Sequence, residues 1–284
     1  MQTAFCATLG HKPKGAAMPV TPINLAVTNI TPTSARFGWE LTPLIVLIRS
    51  LFGAGEQGAF YIPRPTVNGA QVLFQDSAGT VPVTADGDPV GRMIDLSGNG
   101  NHATQSVSGN RPVYRTDGVL HWLKNEEGGH GLLYPESTIS TSHTMAFAIS
   151  PDTVAGRLQH LLSTDAPGAN LDVSHLATTA GKIGIFDNVS WKQPGDATLG
   201  KQVLIYDLNG LQSDFGLYRN DNLIGSRLAY NPQAVSAPAG LFRATTARNE
   251  FEGNIYGVVI LHNTISTSGR GDLNSYLEVL GGIT

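Results

Sequence analysis

The chain holds a single cysteine, Cys6, among 284 residues. No intrachain disulfide can form, and nothing in the composition points to an oxidising compartment. Charge is scarce as well: Asp, Glu, Lys and Arg together make 14% of the chain and leave a net charge of −4. That excludes a basic face for nucleic acid and an acidic solvating tail. Long apolar runs are missing, since the longest, around Leu44 to Phe52, is broken by Arg49 and is too short to span a bilayer. Met1 to Ala17 lacks a basic segment followed by an apolar one, which argues against a secretory signal. The expectation is a chain made in a cytoplasm, with no membrane insertion and no nucleic-acid partner.

Catalytic and metal-binding patterns are also wanting. The histidines, His11, His102, His121, His130, His143, His160, His175 and His262, show no ligand spacing of the HExxH kind. There is no Gly-x-Ser-x-Gly elbow, and the glycine-rich places sit on turns between strands, so phosphate cradling is not supported. A Glu-x-Asp-x-Glu strand, which would put carboxylates on one face for two-carboxylate glycoside hydrolysis, is absent. The nearest approach is Glu250-Phe251-Glu252, read as a solvated strand edge. Arg270-Gly271-Asp272 opens a helical segment, where Asp272 suits the positive end of the dipole. These absences predict a protein that is not an enzyme.

What is present is β chemistry. Hydrophobic residues make 41% of the chain, enough for a real core, and 33 Gly with 16 Pro are scattered between short apolar or alternating runs. Strands are expected at 72–75, 91–96, 113–116, 119–123, 144–149, 158–163, 171–175, 182–186, 202–208, 215–219, 222–227 and 253–262. About a dozen strands imply an all-β, two-sheet sandwich, because one open sheet of that size would curl or split. Pro43 to Ala54 carries apolar residues at helical spacing, with Thr42 as N-cap and Gly53 as stop, and Ser266 to Leu280 reads as a short closing helix.

The stretch Met93 to Thr104 stands out. Gly98 and Gly100 permit positive φ, and the side-chain oxygens of Asp95, Ser97, Asn99 and Asn101 can bond nearby backbone N–H groups. One reading is a structural turn. The other is a calcium or sugar site formed by Asp95, Asn99 and Asn101 with Asp76, Asp86 and Asp88 of the preceding acidic loop. Trp122, Trp191, Tyr206 and Tyr218 are candidate stacking faces for a sugar ring.

Two resemblances follow from particular residues. Thr21 to Glu40 alternates over two short segments and resembles the opening strands of a fibronectin type III domain, with Leu25, Val27 and Trp39 at that family's buried positions. Ser50 to Tyr61, Leu73 to Gly91, Asp95 to Gln105, Arg111 to Arg115 and Phe251 to Ile260 together resemble a module of tailed-bacteriophage and prophage virion proteins, of the concanavalin A-like, laminin-G-like jelly-roll group. The resemblance implies an assembly arm over residues 1–40, a helical connector over 41–66 and a jelly-roll sandwich over 67–284. It further implies a virion structural protein without enzymatic activity, forming a homo-oligomer that contacts other virion proteins through residues 1–40. The expected role is a tail fibre or baseplate component touching host-surface glycan, with capsid decoration or cement as the alternative.

Overall fold

The computed structural model describes residues 38–125, 130–135, 141–154, 156–164, 171–176, 181–231, 238–243 and 249–283. Most of the expected arm, residues 1–37, lies outside them. In chain order the elements begin with α1 (Gly38–Phe52), β1 (Gly58–Tyr61), β2 (Thr66–Val67), β3 (Ala70–Gln71), β4 (Leu73–Phe74), β5 (Arg92–Met93) and β6 (Ala103–Thr104). The middle of the chain supplies β7 (Val113–Thr116), β8 (His121–Asn125), β9 (Leu132–Tyr134), β10 (His143–Pro151), β11 (Gln159–Thr164), β12 (Leu171–Leu176), β13 (Lys182–Phe186) and β14 (Trp191–Asp196). Then come β15 (Gln202–Asn209), β16 (Asp214–Arg219), β17 (Asn222–Leu223), β18 (Leu228–Ala229), β19 (Ala239–Leu241), β20 (Gly253–Leu261) and α2 (Thr267–Gly281).

Two antiparallel sheets carry the fold. The first runs β17-β16-β15-β10-β20-β8-β7, with β1 also on β20 and β18 also on β16; the second runs β14-β13-β12-β11-β19-β9-β6-β5-β4. Period-two alternation explains how they pack. Along β10, Met145, Phe147 and Ile149 enter the core between the sheets, whereas Ala146 and Ala148 face a second apolar cluster. That second cluster contains Leu44, Leu47 and Leu51 of α1 and Leu273 and Leu277 of α2. Helices therefore cover the outer face of the first sheet, and its central strands are apolar on both sides, as a twice-buried strand must be. The second sheet has no helix packed on it among the described residues. The all-β sandwich with one helix near its start and one at its close is thus the observed architecture.

Helix α2 starts where the sequence placed it: Ser266 Oγ accepts from Gly269 N at 3.1 Å, and Gly282 ends the helix at φ 59°. Helix α1 starts earlier, at Gly38, so Trp39 and Glu40 are helical where the sequence suggested the end of a strand. Pro43 lies inside it and costs the helix one backbone hydrogen bond. The connector also gives up its end, because Gly58–Tyr61 pairs with Val258–Leu261 as part of the sandwich.

The Met93 to Thr104 corner is what seats that first strand. The Asp95 carboxylate is buried and accepts from Phe60 N at 2.9 Å, Ser97 N at 2.9 Å, Ser97 Oγ at 2.8 Å and Asn101 N at 3.0 Å. The Gly58 carbonyl in turn accepts from Asn101 Nδ2 at 2.8 Å and Asn99 Nδ2 at 3.2 Å. Only glycine fits at 58, since φ is 141° and a Cβ would fall 2.0 Å from the Ile260 carbonyl oxygen. Replacing Asp95 by Ala strands four buried or half-buried donors. Asp95→Ala is expected to destabilise the protein by about 3 kcal/mol in urea unfolding; a loss under about 0.5 kcal/mol would show that the corner does not hold β1.

Candidate functional site

The helix-free sheet can be read row by row from its register. Ser163 pairs with Asp172, Asp172 with Phe186, and Phe186 with Trp191, so these four share the face opposite to Leu162, Val173 and Ile185, which lie in the core. The neighbouring row is His160, Ser174 and Gly184. Cross-strand neighbours on one face bond each other as expected: Ser163 Oγ donates to Asp172 Oδ1 at 2.6 Å, and His160 Nδ1 lies 2.8 Å from Ser174 Oγ. Gly184 has no side chain between Ser174 and β14, and a Cβ there would fall 2.0 Å from the Lys192 carbonyl oxygen. The strands close together at this point. Trp191 lies parallel to His160, with centroids 6.2 Å apart and an interplanar angle of 14°, and its other neighbour is Phe186 at 5.5 Å.

Trp191 and Phe186 are half-buried, while Ser163, Asp172, Ser174 and His160 are buried. Beside His160, which forms a parallel bridge with Glu250, Arg157 pairs with both Glu250, at 3.1 Å, and Glu252. Glu250 is buried and ion-paired, so the solvated edge expected from its sequence is corrected for that residue. The result is an aromatic ledge formed by Trp191 and Phe186, a hydrogen-bonded polar floor behind it, and a clamped carboxylate pair to one side. Such a combination can stack against one face of a ring and exchange hydrogen bonds at its rim.

The other proposed stacking residues lie elsewhere. Tyr206 is fully buried in the core, its hydroxyl donating to the Ser174 carbonyl at 3.0 Å, and burial raises its pKa. Arg270 lies over the Tyr218 ring at 3.9 Å and is itself paired with Asp221 at 2.8 Å. Neither ring is offered to a ligand. Trp122 packs on Tyr256 at 6.0 Å, partly buried against the helix-side cluster of the first sheet.

The acidic candidates each serve their own turn. Asp76 accepts from Thr80 and Val81, and the Thr80 hydroxyl followed by the Val81 amide holds its carboxyl down at about 2. Asp86 accepts from Thr116 N at 2.9 Å and pairs with Arg115, and that backbone bond keeps its carboxyl below the usual range. Asp88 accepts from Thr84 N and Ala85 N at 2.8 and 2.9 Å. Asp95, Asn99 and Asn101 are spent on the corner. Among the described residues no group of three or more His, Cys, Asp or Glu is arranged to hold a metal ion, and the carboxylates of Asp76, Asp86, Asp88 and Asp95 each accept from backbone N–H groups.

No protein-family model matches the sequence, and no curated protein does. Solved structures share the sandwich. Domain 4 of an extracellular arabinanase from Geobacillus stearothermophilus, solved with arabinotriose, is 15% identical and matches with a TM-score of 0.51 over 63% of this chain and 91% of that one. An arabinofuranosidase complexed with arabinofuranosyl-alpha-1,2-xylobiose is 13% identical, with a TM-score of 0.59 over 82% of this chain and 64% of that one. A mutant of the Trypanosoma rangeli sialidase displaying trans-sialidase activity is 16% identical, with a TM-score of 0.50 over 86% of this chain and 39% of that one. The class of protein defined here is the two-sheet, jelly-roll-like β-sandwich, and the chain spans well under two thirds of the sialidase.

The comparisons correct the functional expectation drawn from the virion resemblance. The three structures just named come from carbohydrate-active proteins, and none of them points to a tail, baseplate or capsid component. The residues that carried the resemblance include the Asp95 corner, whose hydrogen bonds serve folding. Among the described residues no helix is long and apolar enough to cross a membrane.

On the same strand as Asp172 and Ser174, His175 points the other way, edge-on to Phe251 at 5.9 Å in the core. Burial, then the Arg219 charge, pushes its pKa from 6.5 to about 3, against the smaller opposing pull of a hydrogen bond with the Thr153 backbone. The folded state thus holds His175 neutral while the unfolded chain takes up a proton below 6.5. Its contribution is fully present above that value and is lost as pH falls towards 3, by roughly 1.4 kcal/mol per pH unit within the window. Urea midpoints measured from pH 7 to pH 4 should fall less steeply for His175→Leu than for the parent protein; parallel curves would contradict this.

Proposed function

We propose that this sandwich is a saccharide-recognition module that binds an oligosaccharide through the Trp191 end of its helix-free sheet. The observation that carries the reading is the Trp191 indole itself: half-buried on an edge strand, set in orientation by His160 and Phe186, and backed by hydrogen-bonding side chains. An indole fixed this way loses little freedom when a sugar ring stacks on it, so the contact is favourable. The fold neighbours lend support, two of them having been solved with arabinose-containing oligosaccharides.

Binding without hydrolysis is the form we favour. The carboxylate pair beside the ledge, Glu250 and Glu252, is taken up by the Arg157 guanidinium, whereas two-carboxylate hydrolysis needs a pair free to flank the scissile bond. Titration calorimetry against a panel of arabino- and xylo-oligosaccharides should give saturable binding that Trp191→Ala weakens by about tenfold or more. Equal affinity of parent and variant, or no binding across a broad neutral-glycan panel, would remove the proposal. Release of reducing ends from the same oligosaccharides would move the protein into the hydrolases.

A further inference from the structure

Asparagine followed by glycine occurs at Asn68-Gly69, Asn99-Gly100 and Asn209-Gly210. In each pair the glycine nitrogen has no side chain beside it to obstruct attack on the asparagine amide, so the sequence ranks the three equally. The fold does not. Asn99 is half-buried in the corner, where its Nδ2 donates to the Glu56 carbonyl at 3.1 Å and the Gly58 carbonyl at 3.2 Å. At the second pair, Asn209 Oδ1 accepts from Leu211 N at 3.2 Å and Gln212 N at 3.3 Å, and the nucleophile is engaged too, with Gly210 N donating to Ser142 Oγ at 2.9 Å. That turn also joins two long strands, β15 and β16, paired from Leu204 to Asn209.

Asn68 and Gly69 are the exposed tip of a separate ribbon, β2 and β3, held by two residue pairs, Thr66 with Gln71 and Val67 with Ala70. Their φ values, 52° and 76°, are those of a two-residue hairpin turn. Open space surrounds Gly69, with no atom within 4 Å of the position a Cβ would take. A two-stranded ribbon this short opens locally at low cost, which gives the turn the freedom that ring closure requires.

We propose that Asn68 is the site at which this chain deamidates spontaneously. The Gly69 backbone nitrogen attacks Asn68 Cγ, the Cγ–Nδ2 bond breaks, and ammonia leaves with the proton lost from the Gly69 nitrogen. One solvent water then opens the five-membered imide to aspartate or isoaspartate. Either product adds one negative charge to the tip, and isoaspartate also lengthens the backbone within a two-residue turn, which undoes the pairing of β2 with β3.

Incubating the purified full chain in mildly alkaline buffer, with peptide mapping by mass spectrometry, tests this. Conversion at Asn68 is expected to outpace conversion at Asn99 and Asn209 by about tenfold or more, the factor retained hydrogen bonds of that number supply. In strong denaturant the three rates should converge, because the ranking comes from the fold. Asn68→Gln should abolish the early product and leave the other two sites as slow as before. Conversion at Asn99 or Asn209 in the folded protein as fast as at Asn68, or a ranking that persists in denaturant, would overturn the assignment.

Discussion

A buried carboxylate that receives four donors is the constraint on which the first half of this protein turns. Asp95 sits where the chain leaves β5 and reverses, and its oxygens are saturated by Phe60 N, Ser97 N, Ser97 Oγ and Asn101 N. Phe60 belongs to β1, which lies on β20, the strand shared by β10, β8 and β1. A loop of the second sheet thus fastens a strand of the first. Tyr61 completes the joint, its hydroxyl donating to the Asn101 carbonyl, and its pKa is pushed up by burial and then by the Asp95 charge. Because a buried anion is tolerated only when fully hydrogen-bonded, the corner has one workable conformation, and it sets the relative position of the two layers at that end.

Much of the sandwich was legible in the sequence. The long strands β10, β15, β16 and β20 announce themselves as largely apolar runs bounded by turn residues, and helix α2 by its Ser266 start. The strands without such signals were harder. β1 is buried at every position and shows no alternation, β14 contains Pro194 and mostly polar residues, and β9 and β19 are three residues each. Their pairing partners, distant in sequence, define them.

The candidate site divides the same way. Trp191 could be named from the sequence as a large aromatic near a strand. His160, Ser174, Asp172 and Ser163 could not be grouped, since only the register of β11, β12 and β13 brings them into two rows. The alternation of Asp172, Val173 and Ser174 was the one available hint. Tyr206 illustrates the opposite error, an aromatic at a strand position whose direction from the sheet decides its role. The virion reading failed for a related reason: several of the residues it rested on shape a turn, and a turn that serves folding can recur in proteins with unrelated tasks.

The helices roof the outer face of the first sheet. Leu277 and Leu280 of α2 press on β20 at Gly257, where the methyl of an alanine would sit 2.9 Å from the nearer leucine, so the roof over that layer is seated directly on the backbone. A surface chemist fixing the protein to a bead or sensor chip through the roofed side would therefore leave the half-buried Trp191 edge of the other layer turned towards the fluid. Random coupling through lysines would not, since Lys182 and Lys192 lie on β13 and β14 at the rim of that layer.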